Sequence, residues 1–355
     1  MVLDRHLIIH AGSHKTGSSA LQKALKLNTE LLYKNNIANL IIDKKADNRT
    51  LVKKPKINER FIRNGYSVRP LSLKRLIKKS QEEENLMIAK KQIQDSDQLK
   101  FIVSSESLSW IFQIGEIEKL RNSLGGHFEK IQVVFYVRRQ DKIIRSHHKQ
   151  GSITEPANIF YGNSLQPDLN LQDHFDSYLD FKSRISLWSQ VFGSDNIFVR
   201  VMDKNSLVEN DITIDFFTAI GLPHVAQTID ISNCREINTH NKVEEKLSRL
   251  SRELKESMAG SRPWLKKLAR KISSKLEFSE IECSSDWSLK VLNHYEQSNY
   301  LLSNEFNLGH TWYQFNEVDN QESWEWTEDE ANIVISQLLL ELYQSKQNNN
   351  KQSIQ

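Results

Sequence analysis

The chain has 355 residues, of which 38% are hydrophobic and 26% are charged, a composition that excludes a disordered or fibrous protein. Its 48 lysines and arginines against 45 aspartates and glutamates leave a net charge of +3, too small for general nucleic-acid binding, and no nucleic-acid partner is expected. Cys234 and Cys283 are far apart and fit neither a disulfide framework nor a zinc motif, so both are expected to be reduced.

Short apolar runs typical of buried strands recur along the chain, with helix-compatible segments between them. They are HLIIH at 6–10, IANLII at 37–42, FIVSS at 101–105, IQVVFYV at 131–137 and NIFVRV at 196–201. This alternation predicts an α/β fold, in which a central parallel sheet is flanked by helices in three layers. Ligands of such sheets bind at the carboxyl ends of the strands, so a site is expected in the segments that follow them.

The rest of the chain is predicted to be helical. Residues 44–98, rich in lysine and glutamate, are interpreted as a helical insertion that is either a solvated face or a lid. A helical C-terminal part over about 233–343 completes a single domain, 1–343, and residues 344–355 are expected to form a flexible polar tail. No apolar run suits a signal peptide or a membrane span, so a cytoplasmic location is expected.

The stretch 262–276 is basic and amphipathic. Its apolar residues at helical spacing are Trp264, Leu265, Leu268, Ile272 and Leu276. Between them stand Lys266, Lys267, Arg270, Lys271 and Lys275, with no acidic residue. Such a helix either packs its apolar stripe on the domain or makes a peripheral contact with an anionic membrane or glycan.

The segment HAGSHKTGSSALQ, residues 10–22, lies between the first strand and a helix that begins at about Ser18. A strand, a glycine turn and a helix start aim backbone N–H groups and the helix dipole at one point, which favours a phosphate or another anion. Lys15 adds a positive charge. Gly12 and Gly17 have the spacing of a nucleotide-binding P-loop, but Lys15 precedes the second glycine instead of following it, which weakens an assignment to ATP or GTP.

This loop resembles the 5′-phosphosulfate loop of sulfotransferases that use 3′-phosphoadenosine 5′-phosphosulfate (PAPS). The matching core is Lys15, Thr16, Gly17, Ser18 and Ser19. A second motif follows the strand at 131–137, where Arg138 ends the strand and Ser146 lies eight residues later on the next helix. In this family an arginine and a serine at that separation hold the 3′-phosphate of the cofactor. The segment 178–223 also resembles the middle of bacterial and glycan sulfotransferases.

The resemblance implies a P-loop NTPase-like fold and transfer of a sulfuryl group from PAPS to a hydroxyl, or less readily an amine, of a carbohydrate or glycan acceptor. It places Lys15 beside the bridging oxygen and requires no metal. The implied PAPS-binding residues are Gly12, Lys15, Thr16, Gly17, Ser18, Ser19, Arg138 and Ser146. Alternatives are a small-metabolite or lipid acceptor, an ATP-dependent kinase that needs Mg²⁺, and a nucleotide-binding scaffold without activity.

A general base that removes the acceptor proton is also expected in this family. Glu106 follows the strand FIVSS, in the neighbourhood where the cytosolic enzymes carry a histidine, and it is interpreted either as this base or as a helix cap. His14, within the phosphosulfate loop, is the alternative base. His10 and His147 are weaker candidates, since a single histidine near a strand end is more often a packing residue.

Overall fold

In a computed structural model of the chain, the structure describes residues 4–40, 93–105, 108–109, 111–153, 173–203, 205–234, 271–272, 285–315 and 327–352. Residues 1–143, 172–236 and 294–314 form one compact unit, and residues 144–171, 237–293 and 315–355 form a second. The single domain expected over 1–343 therefore stays a prediction. The insertion at 44–98 lies almost entirely outside the described residues.

A five-stranded, all-parallel sheet is the centre of the first unit. Its strands are β1 (His6–His10), β2 (Ile37–Asn39), β3 (Lys100–Ser104), β4 (Lys130–Val137) and β5 (Ile197–Val201). Their order is β2-β3-β1-β4-β5, which places β1 in the middle. At the carboxyl end of β1, His10 lies beside Ser104 of β3 and Val134 of β4. The strands expected from the apolar runs are confirmed, and the α/β class with them.

Helices connect the strands and continue beyond the sheet. Within the described ranges they are α1 (Ser18–Leu27), α2 (Thr29–Lys34), α3 (Ile114–Gly125), α4 (Gln140–Ile153), α5 (Asp173–Leu179), α6 (Phe181–Phe192), α7 (Ile212–Ala219), α8 (Pro223–Ala226), α9 (Ser285–Phe306) and α10 (Glu328–Gln352). None of the helices in these ranges is long and apolar enough to cross a membrane.

The last helix, α10, extends to Gln352, into the segment for which the sequence predicts a flexible tail from residue 344. The added residues are mainly glutamine, lysine and asparagine. Lengthening an established helix costs much less than starting one, and glutamine and lysine are good helix formers, so polarity alone does not end a helix.

The longest strand, β4, has helices on both of its faces. Val134 and Tyr136 pack in one buried cluster with Phe216 of α7. Phe135, between them in sequence, has its ring edge-on to Trp188 of α6, with the ring centroids 5.5 Å apart. Because successive side chains of a strand point to opposite faces, these contacts place α7 and α6 on opposite sides of the sheet.

A buried charged network joins β4, β5 and α7. Asp215 is fully buried and accepts hydrogen bonds from the Tyr136 hydroxyl at 2.7 Å and from Arg200 Nε at 3.0 Å. Its other oxygen accepts from the Val208 N–H at 3.2 Å and forms an ion pair with Arg200 Nη2. Burial, reinforced by the Asp215 carboxylate, raises the pKa of Tyr136 well above its ordinary value. The hydroxyl therefore stays a donor.

Replacing Asp215 by alanine should lower the free energy of unfolding by about 3 kcal/mol, because the Tyr136 hydroxyl would lose its acceptor inside the core. Arg200 is 35% exposed and can regain water, which keeps the loss from being larger. Urea denaturation measures the effect. Asp195→Ala, an exposed carboxylate in the turn Ser194–Asn196, is the matched control. Equal stabilities of the two variants would contradict a structural role for the network.

Candidate functional site

The loop between β1 and α1 lies at the point where the strand order reverses. From β1 the chain passes through α1 and α2 to β2 and then β3 on one side, whereas β4 lies on the other side. In an open parallel sheet this reversal leaves a crevice at the carboxyl ends of the strands, the usual place for a ligand. Residues 11–17, within the segment 10–22 for which the sequence predicts an anion-binding loop, occupy this position and are called the anion loop below.

The loop has an unusual backbone conformation. Lys15 has φ 66° and Gly17 has φ 80°, both left-handed. The conformation costs a residue with a side chain about 1 kcal/mol or more, so its presence at Lys15 means that the surroundings impose it. Right-handed and left-handed residues in alternation turn successive N–H groups towards one concave side, which forms an anion-binding nest. The left-handed residues Lys15 and Gly17 are compatible with such a nest.

Gly12 is required by a close approach to His10. A Cβ added at Gly12 would lie 2.5 Å from His10 Nε2, far inside contact distance. The imidazole is fully buried, its Nδ1 lies 2.7 Å from Ser104 Oγ, and its ring is edge-on to Tyr136. His10 is therefore a packing residue, as expected for a histidine at a strand end, and it sets the path of the loop.

The first turn of α1 supplies further donors. Its cap is Gly17, which offers no side-chain acceptor, and the turn holds no acidic residue. The Ser18 hydroxyl is buried without a hydrogen-bond partner among the described residues, whereas Ser19 is exposed. A helix start without a side-chain cap and with an unsatisfied buried hydroxyl favours an anionic ligand.

Arg138, the first residue after β4, reaches the loop directly. Its Nη1 donates a hydrogen bond to the Lys15 carbonyl at 3.0 Å, across 123 positions of sequence. Burial lowers the pKa of Arg138, and the carboxylates of Asp141 and Asp203 oppose that shift. The structure thus brings together the two motifs that the sequence singled out separately, and it adds a guanidinium to the edge of the loop.

The other predicted site residues are placed as follows. Thr16 is buried and its hydroxyl donates to the Ser13 carbonyl at 2.5 Å, so it braces the loop from within. His14 is half-buried, and its backbone N–H donates to the Tyr178 hydroxyl at 2.8 Å.

Ser146 is half-buried on the part of α4 that belongs to the second unit, and its pairing with Arg138 stays a prediction. Glu106 lies outside the described residues.

Of the basic stretch 262–276, the structure describes Lys271 and Ile272. Ile272 is fully buried, as its place on the predicted apolar stripe requires, and Lys271 Nζ lies 2.5 Å from Glu341 Oε2 of α10. At least one of the basic residues is therefore paired within its own unit. The membrane or glycan contact of this stretch stays a prediction.

Two residues that the sequence interpretation did not select also hold the loop. Arg184 of α6 is buried, and its Nη2 donates to Ser13 Oγ at 2.8 Å. Tyr178, at the end of α5, accepts from His14. A signal for Arg184 exists in the sequence, because it stands on the apolar stripe of α6. The buried residues of that helix are Phe181, Arg184, Ile185, Trp188, Val191 and Phe192. An arginine at such a position is unusual and points to a specific partner.

Comparison with known proteins gives little guidance about this site. No protein-family model matches the chain. A protein of Archaeoglobus fulgidus, described only as uncharacterized, is 33% identical over 121 residues. That segment covers 34% of this chain and 30% of the archaeal protein. The similarity carries no activity to this chain.

Replacing Gly12 by alanine should cost about 2 kcal/mol of unfolding free energy, because the new methyl group would overlap the ring of His10, which is fully buried. In a His10→Ala background the same change should cost less than half as much, and denaturation of the four proteins of the cycle measures this coupling. Gly115→Ala is the control, since no atom lies within 4 Å of its added Cβ. Additive costs would show that the ring is not the obstacle.

Proposed function

We propose that the chain is a PAPS-dependent sulfotransferase with a P-loop-like core. The observation that carries the proposal is the hydrogen bond from Arg138 to the Lys15 carbonyl. In the family that the sequence resembles, the lysine loop binds the 5′-phosphosulfate and the arginine after a strand binds the 3′-phosphate. Contact between these two motifs at one sheet edge supports a single site for a nucleotide with phosphates at both ends.

The fold around the loop also supports a P-loop-like arrangement. The loop follows the central strand, at the reversal of strand order, and leads into the uncapped start of α1. Buried Ser18 Oγ has no partner in the described part of the chain, as expected of a hydroxyl whose acceptor is a ligand. Two cationic side chains, Lys15 and Arg138, belong to the same edge. These features fit the donor set that a phosphosulfate and a phosphate need.

The chemistry assigns a different task to each group. PAPS supplies the activated sulfuryl group and a phosphate leaving group, on whose bridging oxygen negative charge develops. Lys15 would stabilise that charge, and Ser18, Ser19 and the loop N–H groups would orient the 5′ end of the nucleotide. Arg138 would hold the 3′-phosphate with its planar fork of donors. Positioning and electrostatics then supply most of the rate enhancement, as in phosphoryl transfer.

The acceptor is proposed to be a carbohydrate or glycan hydroxyl, with Glu106 or His14 as the group that takes its proton. Small metabolites and lipids are the competing acceptors. Incubation of the protein with labelled PAPS and a panel of glycans, phenols and lipids tests this part of the proposal. Transfer to a glycan supports it, and transfer to a phenol or lipid alone replaces the acceptor class while keeping the reaction.

The nucleotide assignment predicts a specific discrimination. The product 3′-phosphoadenosine 5′-phosphate (PAP) should raise the melting temperature by mass action, and ADP, which lacks the 3′-phosphate, should raise it much less. Arg138→Ala should remove most of this difference, since the 3′-phosphate would lose its guanidinium. Arg121→Ala, an exposed arginine on α3, is the control. Equal shifts from PAP and ADP in the wild-type protein would contradict the proposal, and a larger shift from ATP with Mg²⁺ would favour the kinase alternative.

Lys15 should act on the chemical step more than on binding. Removal of its ammonium group should lower kcat by about two to three orders of magnitude while the Kd for PAP changes much less, because the charge it stabilises grows towards the transition state. Lys15→Ala leaves the left-handed backbone strained, and Lys15→Gly relieves that strain. Both variants should lose kcat alike. Activity that survives in Lys15→Gly would assign the effect to backbone strain instead of the ammonium group.

A further inference from the structure

Arg184 contacts two segments that follow neighbouring strands. Its Nη2 donates to Ser13 Oγ at 2.8 Å, in the loop after β1, and its Nη1 donates to the Ser109 carbonyl at 3.0 Å, after β3. Only 1% of the residue is exposed. The guanidinium thus links the anion loop to the segment after β3 through two hydrogen bonds. Its donors are held in a fixed planar fork, which a lysine ammonium group does not have.

Aromatic rings hold the guanidinium in place. Its central carbon lies 5.0 Å from the centroid of the Tyr178 ring and 5.3 Å from that of Phe181. The Tyr178 hydroxyl in turn accepts from the His14 N–H. Burial raises the pKa of Tyr178, although the Arg184 charge opposes the shift, so the hydroxyl remains neutral. Arg184 and Tyr178 together therefore hold two consecutive loop residues, Ser13 and His14.

The charge of Arg184 lacks the compensation that buried arginines normally have. Among the described residues no carboxylate forms an ion pair with it, and its Nε has no hydrogen-bond partner there. Arg139, which is also buried, does have such compensation, because it donates two hydrogen bonds of 2.6 and 3.0 Å to the carboxylate of Asp141. A buried charge without a counter-charge costs several kcal/mol. Burial accordingly lowers the pKa of Arg184, and interactions with the Tyr178 hydroxyl and, more weakly, with the charge of Asp180 oppose this shift in part.

We infer that Arg184 is a positioning residue of the loop, and that the anion bound by the loop is the counter-charge of its buried guanidinium. The inference rests on the proposed function only in requiring that the loop bind a phosphate-type anion. The free protein carries the unfavourable buried charge, and binding relieves it. Part of the free energy of anion binding therefore comes from a residue behind the loop whose side chain is almost completely buried.

This arrangement predicts opposite effects of one substitution on stability and on binding. Arg184→Met keeps the length of the side chain and removes the charge, so without ligand the variant should unfold at the same or a higher denaturant concentration than the wild type. Its Kd for PAP should rise at least tenfold, measured by calorimetry in buffer free of phosphate and sulfate. Arg184→Lys should regain part of the lost affinity. Arg121→Met, the exposed control, should change neither quantity.

If Arg184 had only a structural role, its replacement would lower the stability and leave the affinity for PAP unchanged. Loss of stability in Arg184→Met, with wild-type PAP affinity in the folded fraction, would overturn the inference. If Arg184→Met does not fold, the variant Ser13→Ala tests the inference instead. It removes the hydroxyl that accepts the hydrogen bond from Arg184 and leaves the charge of Arg184 in place. The inference then requires PAP affinity to fall at least threefold, and an unchanged affinity overturns it.

Failure of the proposed function would give a different result, which appears in nucleotide binding by the wild-type protein. A wild-type protein that binds ATP with Mg²⁺ but not PAP contradicts the sulfotransferase assignment, and the same variants compared with ATP then decide the role of Arg184. A wild-type protein that binds neither nucleotide, nor pyrophosphate as the simplest probe, overturns the inference itself.

Discussion

The loop after β1 depends on side chains from elsewhere in the chain to satisfy its polar groups. Its two ends continue the β1–β4 pairing at Ala11 and the helical hydrogen bonds at Gly17, but the residues between them lie outside both ladders, and unpaired buried polar groups are costly. The groups that hold it are Tyr178, Arg184, Arg138 and, from within, Thr16. These contacts keep Lys15 in a left-handed conformation that a free loop would leave. The shape of the loop is therefore a property of the assembled unit.

The strand order lets side chains from several elements reach the loop. Because β1 is the central strand, its loop can be approached from both neighbouring sides of the sheet edge. Arg138 comes from the end of β4, which pairs directly with β1. Arg184 comes from α6, whose Trp188 packs on the face of β4 that carries Phe135. A loop after an edge strand would have had one neighbour fewer and more water, so its donors would have been less well oriented.

Charge is distributed differently at the site and in the rest of the first unit. Away from the loop, two buried carboxylates each form an ion pair with an arginine: Asp215 with Arg200 and Asp141 with Arg139. At the loop, Arg184 forms no ion pair with a carboxylate of the described residues, and the start of α1 adds the positive end of a helix dipole without an acidic residue in its first turn. The positive groups at this sheet edge fit the anionic ligand proposed above, and they are distinct from the ion pairs in the core.

The sequence by itself determined the strands, the start of α1 and the position of the loop between β1 and α1, because each depends on local pattern: apolar runs of strand length, glycines at turns and hydroxyl residues at a helix start. It also selected Arg138, through its place at a strand end together with the resemblance of that segment to a sulfotransferase motif. Only the tertiary structure decided the strand order, the contact between Arg138 and Lys15, and the parts played by Arg184 and Tyr178. These two residues contact loop positions 171 and 164 residues away. Such contacts depend on how α5 and α6 pack against the sheet, so no periodicity or motif within a short window of sequence can reveal them.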